Sequence, residues 1–271
     1  MFRRLKFKGA EVMMLSILLL PLFLCPKAFG ADASRVASDS QKLFEQALTF
    51  ERSREFLKAR ELLRQMIQQF SDSPEAPGAI KELEALNILM INNIVPCPQA
   101  VVYVVKPGET LYDIARRYQV TAEVIKRRNG LVRDIIQPGI QLSIWKGPFT
   151  IFIDKSDNVL TLVNNNRIIK KYSVATGKQT TTTPEGQFTI TSKMMHPVWF
   201  HRGIVVPPGT PENFLGTRWL GFDKPKYGIH GTIYPDKIGH SVSSGCVRMR
   251  NEDVEELYEL IPYGTKVVIK E

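Results

Sequence analysis

Three cysteines in 271 residues are too few for a disulfide scaffold, and Cys25, Cys97 and Cys246 lack the paired spacing of a zinc site. Histidine is nearly as scarce, with His196, His201, His230 and His240 the whole set of four. His196 and His201 stand five apart in a Pro-rich stretch with no third ligand at useful spacing, so neither metal nor cofactor is expected. No dense Lys/Arg run with interleaved aromatics accompanies the net charge of +9, which argues against nucleic acid as a partner. A membrane-spanning helix needs about 20 apolar residues, and the run Val12–Leu24 stops at 13. Hydrophobic residues at 44% and charged residues at 23% exclude a disordered or collagen-like chain.

The short apolar run has a clear context. Arg3, Arg4, Lys6 and Lys8 precede it, and Ala28-Phe29-Gly30 follows with small residues at both positions a signal peptidase reads. Residues 1–30 are therefore expected to be a secretory signal peptide cleaved after Gly30, the alternative being a retained anchor. Bulky Leu24 before Cys25 argues against lipidation. Cleavage leaves an exported protein of the periplasm, cell wall or cell surface with no integral span. The remaining chain stays mildly basic, which suits attraction to an anionic envelope polymer and equally suits solubility alone. Export also leaves Cys97 and Cys246 free to pair or to remain thiols.

Three segments follow. Residues 36–92 show helical spacing: Leu43, Phe44, Ala47 and Leu48, then Phe56, Ala59, Leu62, Leu63, Met66, Ile67 and Phe70, then Ile80, Leu83, Leu86 and Met90. Ser71-Asp72-Ser73-Pro74 breaks the pattern and is expected to cap the third helix. The stretch weakly resembles a tetratricopeptide-type helix pair and equally fits a plain helical hairpin; a protein partner for it is an open expectation. After a Pro-Cys-Pro linker, residues 101–146 read as strand, helix, helix, strand. Thr110 and Thr121 are placed to cap the two helices, and Asn129-Gly130 stops the second.

Tyr103, Val105, Pro107, Gly108, Thr110, Leu111, Ile114, Ala115, Asn129, Pro138, Gly139 and Leu142 make residues 101–146 resemble a LysM module. That resemblance implies non-catalytic binding of N-acetylglucosamine-containing glycan strands. It implies a groove between the Gly108–Leu111 loop and the loop after Asn129, with Gly108, Thr110, Leu111 and Asn129 as contacts.

From Phe149 the periodicity becomes two, as in strands, up to a closing helix near Asn251, which is expected to cap it, and a strand at Thr265–Ile269. Residues 196–226 form a long Pro/Gly-rich loop, which inside a compact domain is usually functional. The chemistry-bearing pair is His230, after a strand-like Lys226–Ile229, and Cys246 in Ser243-Ser244-Gly245-Cys246-Val247-Arg248. A thiol of pKa about 8.5 is mostly protonated at neutral pH. A neighbouring imidazole can take its proton and release the thiolate nucleophile. Gly245 permits a sharp turn that would aim the N–H groups of Ser244, Gly245 and Cys246 at a forming oxyanion.

The run His230-Gly231-Thr232 … Ile238-Gly239 … Ser243-Ser244-Gly245-Cys246-Val247-Arg248-Met249 resembles the YkuD-type L,D-transpeptidase catalytic domain over residues 149–271. Thr183–Gly186, Asn213–Trp219 and Asn251 with Asp253 and Val254 extend the match. Ser244 stands where many members carry His. The implied fold class is a multi-domain α+β chain: a helical segment, a small β-α-α-β LysM module and a mainly-β catalytic domain. The implied activity is attack by Cys246 on a peptidoglycan stem tetrapeptide, release of D-alanine and transfer to an amine. His230 would be the base, and the Gly231 carbonyl would fix its tautomer. Arg248 would hold a substrate carboxylate or an internal ion pair, and Ser243 would donate to substrate or brace the loop. Water as acceptor, giving a carboxypeptidase or endopeptidase, and a non-catalytic wall-binding scaffold remain as alternatives.

Overall fold

The computed structural model describes residues 33–201 and 203–271. The expected signal segment, with Cys25, lies outside the described residues. Among the described residues no helix is long and apolar enough to cross a membrane. The chain opens with α1 (Ala33–Arg52), α2 (Phe56–Gln69) and α3 (Ala76–Asn92). Their helical periodicity buries Ala47, Ala59, Leu63, Met66, Ala79, Leu86 and Met90 in one seam. Ile80 is the exception: it lies exposed, one step off the buried stripe. The break before α3 works differently from the expected side-chain cap. No side chain caps Glu75 at the N-terminus of α3; instead the Ser73 carbonyl accepts from the Ala76 N–H at 3.1 Å. Pro77 sits in the first turn, where its missing N–H is not needed.

A small layer follows, built from β1 (Ala100–Val104), α4 (Leu111–Tyr118), α5 (Ala122–Asn129) and β2 (Gln141–Trp145). The two strands pair antiparallel from Ala100↔Trp145 to Val104↔Gln141. Thr110 starts α4 through a capping box: its Oγ1 accepts from the Asp113 N–H at 3.1 Å, and the Asp113 carboxylate accepts from the Thr110 N–H at 3.2 Å. Thr121 caps α5 one way, its Oγ1 accepting from the Val124 N–H at 3.1 Å, and Gly130 ends it at φ 64°.

The rest of the chain is dominated by strands: β3 (Phe149–Asp154), β4 (Val159–Asn164), β5 (Arg167–Ser173), β6 (Thr176–Gly177), β7 (Gly186–Met195), β8 (Trp199–His201), β9 (Ile204–Val206), β10 (Arg218–Phe222), β11 (Gly228–His230), β12 (Ser241–Ser243), β13 (Val247–Arg248), then helix α6 (Asn251–Leu260) and β14 (Lys266–Lys270). Eight of them form one sheet in the order β13-β11-β10-β7-β14-β3-β4-β5. The last strand in sequence sits inside it, parallel to β3 and antiparallel to β7. Ile151, Ile153, Leu160, Leu162, Ile190, Leu220, Val267 and the α6 residues Val254, Leu257 and Leu260 fill the core.

The three segments share contacts rather than hanging on linkers. Strand β5 is a sheet edge, and α3 covers it: Asn87 Nδ2 donates to the Ile169 carbonyl at 3.0 Å, and Glu84 accepts from the Lys171 N–H at 2.9 Å. Covering an edge removes unpaired backbone groups that would otherwise template aggregation. Arg128 of α5 is buried and donates to the carbonyls of Met90, Ile91, Asn93 and Val95, so it satisfies the C-terminus of α3. Trp145 Nε1 donates to Asn164 Oδ1 at 3.1 Å, and Arg127 pairs with Glu259 at 2.5 Å. The helical segment thus packs on the sheet, beyond the self-contained hairpin that its periodicity alone suggests.

Candidate active site

The site lies where β11 and β13 run side by side. Their parallel register sets Ile229 against Val247 and His230 against Arg248. Side chains alternate across a strand. Ile229 and Val247 therefore point together into the core, both fully buried. By the same alternation His230, Arg248 and Cys246 fall on the other face, with Cys246 just before the first pair of the ladder and His230 and Arg248 on its last pair.

Each functional group is held by its neighbours. His230 is only 4% exposed. Its Nδ1 lies 2.7 Å from the Gly231 carbonyl, and its ring stacks on Trp219 at 5.8 Å between centroids. Trp219 in turn donates its indole N–H to Ser192 Oγ at 3.3 Å. Burial pushes the imidazole pKa down to about 4; the Gly231 carbonyl opposes this, the Arg248 charge adds to it, and the Leu215 backbone opposes it again. Cys246 is a free thiol that donates to the Lys226 carbonyl at 3.4 Å. Burial raises its pKa, while a backbone hydrogen bond from Gly228 and the Arg248 charge lower it. Burial thus favours the neutral form of both side chains, thiol and imidazole, at neutral pH.

The turn before Cys246 depends on glycine. Gly245 has φ +114°, and an added Cβ would lie 2.8 Å from the Tyr227 ring. Ser243 is fully buried and braces this turn: its hydroxyl donates to the Cys246 carbonyl at 2.5 Å and accepts from the Gly245 N–H at 3.0 Å. Two expectations change in consequence. Ser243 has its hydroxyl committed to the turn rather than offered to substrate. The Gly245 N–H is likewise committed, so of three consecutive N–H groups only those of exposed Ser244 and of Cys246 remain for an oxyanion. Arg248 makes no ion pair with any carboxylate among the described residues, and its buried Nε has no partner, so the internal ion pair is absent.

Asn251 is the residue whose role sequence reasoning misplaced. It is the first residue of α6, with Arg250 at the cap position. Its Oδ1 instead accepts from the N–H groups of Thr217 and Thr232, both at 3.2 Å. The carboxamide sits so close to Gly216 and Gly231 that a Cβ on either would lie 2.3 or 2.2 Å from Oδ1. Asn251 therefore ties the long loop to the Gly231 peptide that holds the imidazole. The two glycines facing one Asn were the available signal, but their meeting depends on the fold. Asn213 is a second such brace: buried, it donates from Nδ2 to the carbonyls of Pro197, Val206 and Pro207, closing the base of the β8–β9 hairpin.

The smaller layer holds its expected contacts unevenly. Gly108, at φ +80°, and Thr110 are exposed at the start of α4. Leu111 is buried in the core of the layer, so its side chain is not a surface contact as expected. The Asn129 carboxamide donates to the Ile125 and Ser143 carbonyls at 2.8 Å each and accepts from the Ser143 N–H at 2.7 Å. It is a strut between α5 and β2, with both of its amide hydrogens committed. His240 is exposed, and the side chain of His201 lies outside the described residues.

Residues 148–269 match the family model of the L,D-transpeptidase catalytic domain (YkuD), and residues 103–145 match the LysM domain. A Bacillus licheniformis protein assigned to the L,D-transpeptidases as YkuD is 38% identical over 175 residues, 62% of this chain and 97% of the relative. The corresponding Bacillus subtilis YkuD is 37% identical over 174 residues, with the same shares covered. Bacillus subtilis YqjB, also assigned to the L,D-transpeptidases, is 42% identical over 124 residues, 44% of this chain and 69% of the relative.

Proposed function

Because this chain belongs to the YkuD family of L,D-transpeptidases, we propose that it acts through Cys246 as nucleophile and His230 as base. The thiol attacks the carbonyl of the third residue of a peptidoglycan stem tetrapeptide and passes its proton to the neutral imidazole. The tetrahedral oxyanion is met by the Ser244 and Cys246 N–H groups. His230 then protonates the departing D-alanine, leaving a tripeptidyl thioester. An acceptor amine attacks that thioester, gives its proton to His230 and regenerates the thiol. The observation that carries this reading is the register that sets His230 against Arg248 with Cys246 two residues away.

Several features support the details. The Gly231 carbonyl beside Nδ1 favours a proton there, which leaves Nε2 as the acceptor. A neutral base at pH 7 follows from burial, and the turn geometry is a rigid one. Arg248, without a carboxylate partner, suits a substrate carboxylate through its planar fork. LysM anchoring on glycan through the Gly108–Thr110 loop would raise the local concentration of stems. Export to the periplasm or cell wall fits the same substrate.

Incubation of the purified chain with peptidoglycan tetrapeptides tests the proposal. Crosslinked dimers and a tripeptidyl mass increment on Cys246 are expected, and Cys246→Ala should abolish both while leaving glycan pull-down intact. Shortened monomers alone would make water the acceptor and the protein a carboxypeptidase. An unmodified Cys246 under all conditions would leave only a wall-binding scaffold.

A further inference from the structure

The seam between the helical segment and the catalytic sheet gathers cations that no catalytic step uses. Arg60 and Arg64 lie one turn apart on the same side of α2, and so share a face. Arg60 is 6% exposed, yet its Nη2 reaches only an amide, Gln99 Oε1, at 3.2 Å. The Gln99 carbonyl accepts from the Lys146 N–H at 2.9 Å. The Lys146 carbonyl in turn accepts from Asn165 Nδ2 at 3.2 Å, in the turn that leads to Arg167. This chain of contacts runs from Arg60 through Gln99 and the backbone of exposed Lys146 to the turn two residues before exposed Arg167, whose charge is near enough to act on both Arg60 and Arg64. No carboxylate lies within ion-pair distance of any of them among the described residues. The three guanidinium groups feel one another: burial first and neighbouring arginine charge next lower the proton affinity of Arg60 and Arg64, opposed at Arg60 by the Cys97 sulfur and Glu61 and at Arg64 by Glu61.

Gathering like charges and burying one of them is costly unless an opposite charge is supplied. A single carboxylate offers two oxygens, whereas a phosphoryl group offers three or more acceptors to several arginine forks at once. We propose that Arg60, Arg64 and Arg167, with Lys146 at the rim, form an anion site for a phosphoryl group. The site lies on the α2 side of the molecule, at β5, which is the opposite end of the eight-stranded sheet from β13 and the active site. The ligand chemistry is shared by a phosphodiester polymer of the envelope and by free phosphate, and the two are separable by experiment.

Calorimetric titration of the purified chain with inorganic phosphate and, separately, with a synthetic glycerol-phosphate polymer reads the site. Binding that weakens with added salt is expected. Tighter binding of the polymer assigns the site to an envelope phosphodiester, and equal binding per phosphate assigns it to free phosphate. Arg64→Gln and Arg167→Gln, each removing a charge-assisted contact, should weaken binding about tenfold or more. Lys58→Gln, on another face of α2, should leave it unchanged. Acylation of Cys246 should be unaffected in all three variants, so the site stands or falls independently of the catalytic proposal. Absence of binding by both ligands, or binding indifferent to Arg64→Gln and Arg167→Gln in folded protein, overturns it.

Discussion

Replacing Asn251 with alanine isolates what the loop brace does for the imidazole. The substitution removes one acceptor and strands two backbone donors, those of Thr217 and Thr232, each 3.2 Å away in partly buried surroundings. An unsatisfied buried donor costs about 1–3 kcal/mol, and partial access to water places the pair at about 2–4 kcal/mol. For a chain of this size that corresponds to a fall in Tm of about 5–15 °C. The catalytic effect is separate, because the freed Gly231 peptide no longer fixes the carbonyl 2.7 Å from Nδ1. A displacement of about 1 Å at a reacting group costs on the order of 100-fold. The assay is the rate of tripeptidyl adduct formation on Cys246, followed by mass spectrometry across pH, alongside calorimetric melting. Asn251→Asp keeps an acceptor in place and should recover most of the Tm. Its added negative charge should move the acid limb of the rate profile, set by the imidazole near pH 4, to higher pH. If Asn251→Ala melts lower but acylates like wild type with an unmoved acid limb, the brace serves stability alone and the positioning role is refuted.

Gly245→Ala forces a Cβ to 2.8 Å from the Tyr227 ring at φ +114°, and should cost about 1–3 kcal/mol in strain together with nearly all acylation; denaturant melts and adduct formation measure the two. The buried His230 ring has a pKa below its unfolded value, so the unfolded chain binds the extra proton between pH 6.5 and about 4. Stability from this group is full above pH 6.5 and is lost as pH falls towards 4, by about 3 kcal/mol; the pH dependence of Tm should be flatter in His230→Gln by that amount, and identical slopes would contradict the burial argument. The raised thiol pKa of Cys246 implies slow alkylation by iodoacetamide at pH 7 and a steep rise above pH 9, read by peptide mass; fast labelling at pH 7 would mean a resting thiolate. Asn87→Leu removes the donor to the Ile169 carbonyl at 3.0 Å, so amide exchange along β5 should accelerate while acylation is retained.

Local rules made much of this protein legible from its residues. The capping threonines Thr110 and Thr121, the stop at Gly130 and the alternation Phe149–Ile151–Ile153 all depend on neighbours within a few positions, and the structure follows them. The Ser-Ser-Gly-Cys turn and the His-Gly pair were visible for the same reason, since a positive φ or a tight approach selects glycine locally. Most of the roles that needed correction turn on distant partners. Ser243 looks free in one dimension, but its hydroxyl is taken up by the Cys246 carbonyl and the Gly245 N–H of its own turn, whereas the Asn129 carboxamide is held by Ser143 on the neighbouring strand. Asn251 follows the pattern of a helix cap, yet its acceptor meets backbone donors 34 and 19 positions away. Composition gave no hint that α3 would seal the β5 edge or that Arg128 would finish α3, because an edge strand and a helix end have no sequence mark of who will cover them. Periodicity and capping are short-range free energies that a sequence carries in itself. Which unsatisfied hydrogen-bonding groups find each other across the chain is decided only when the elements pack and water leaves between them.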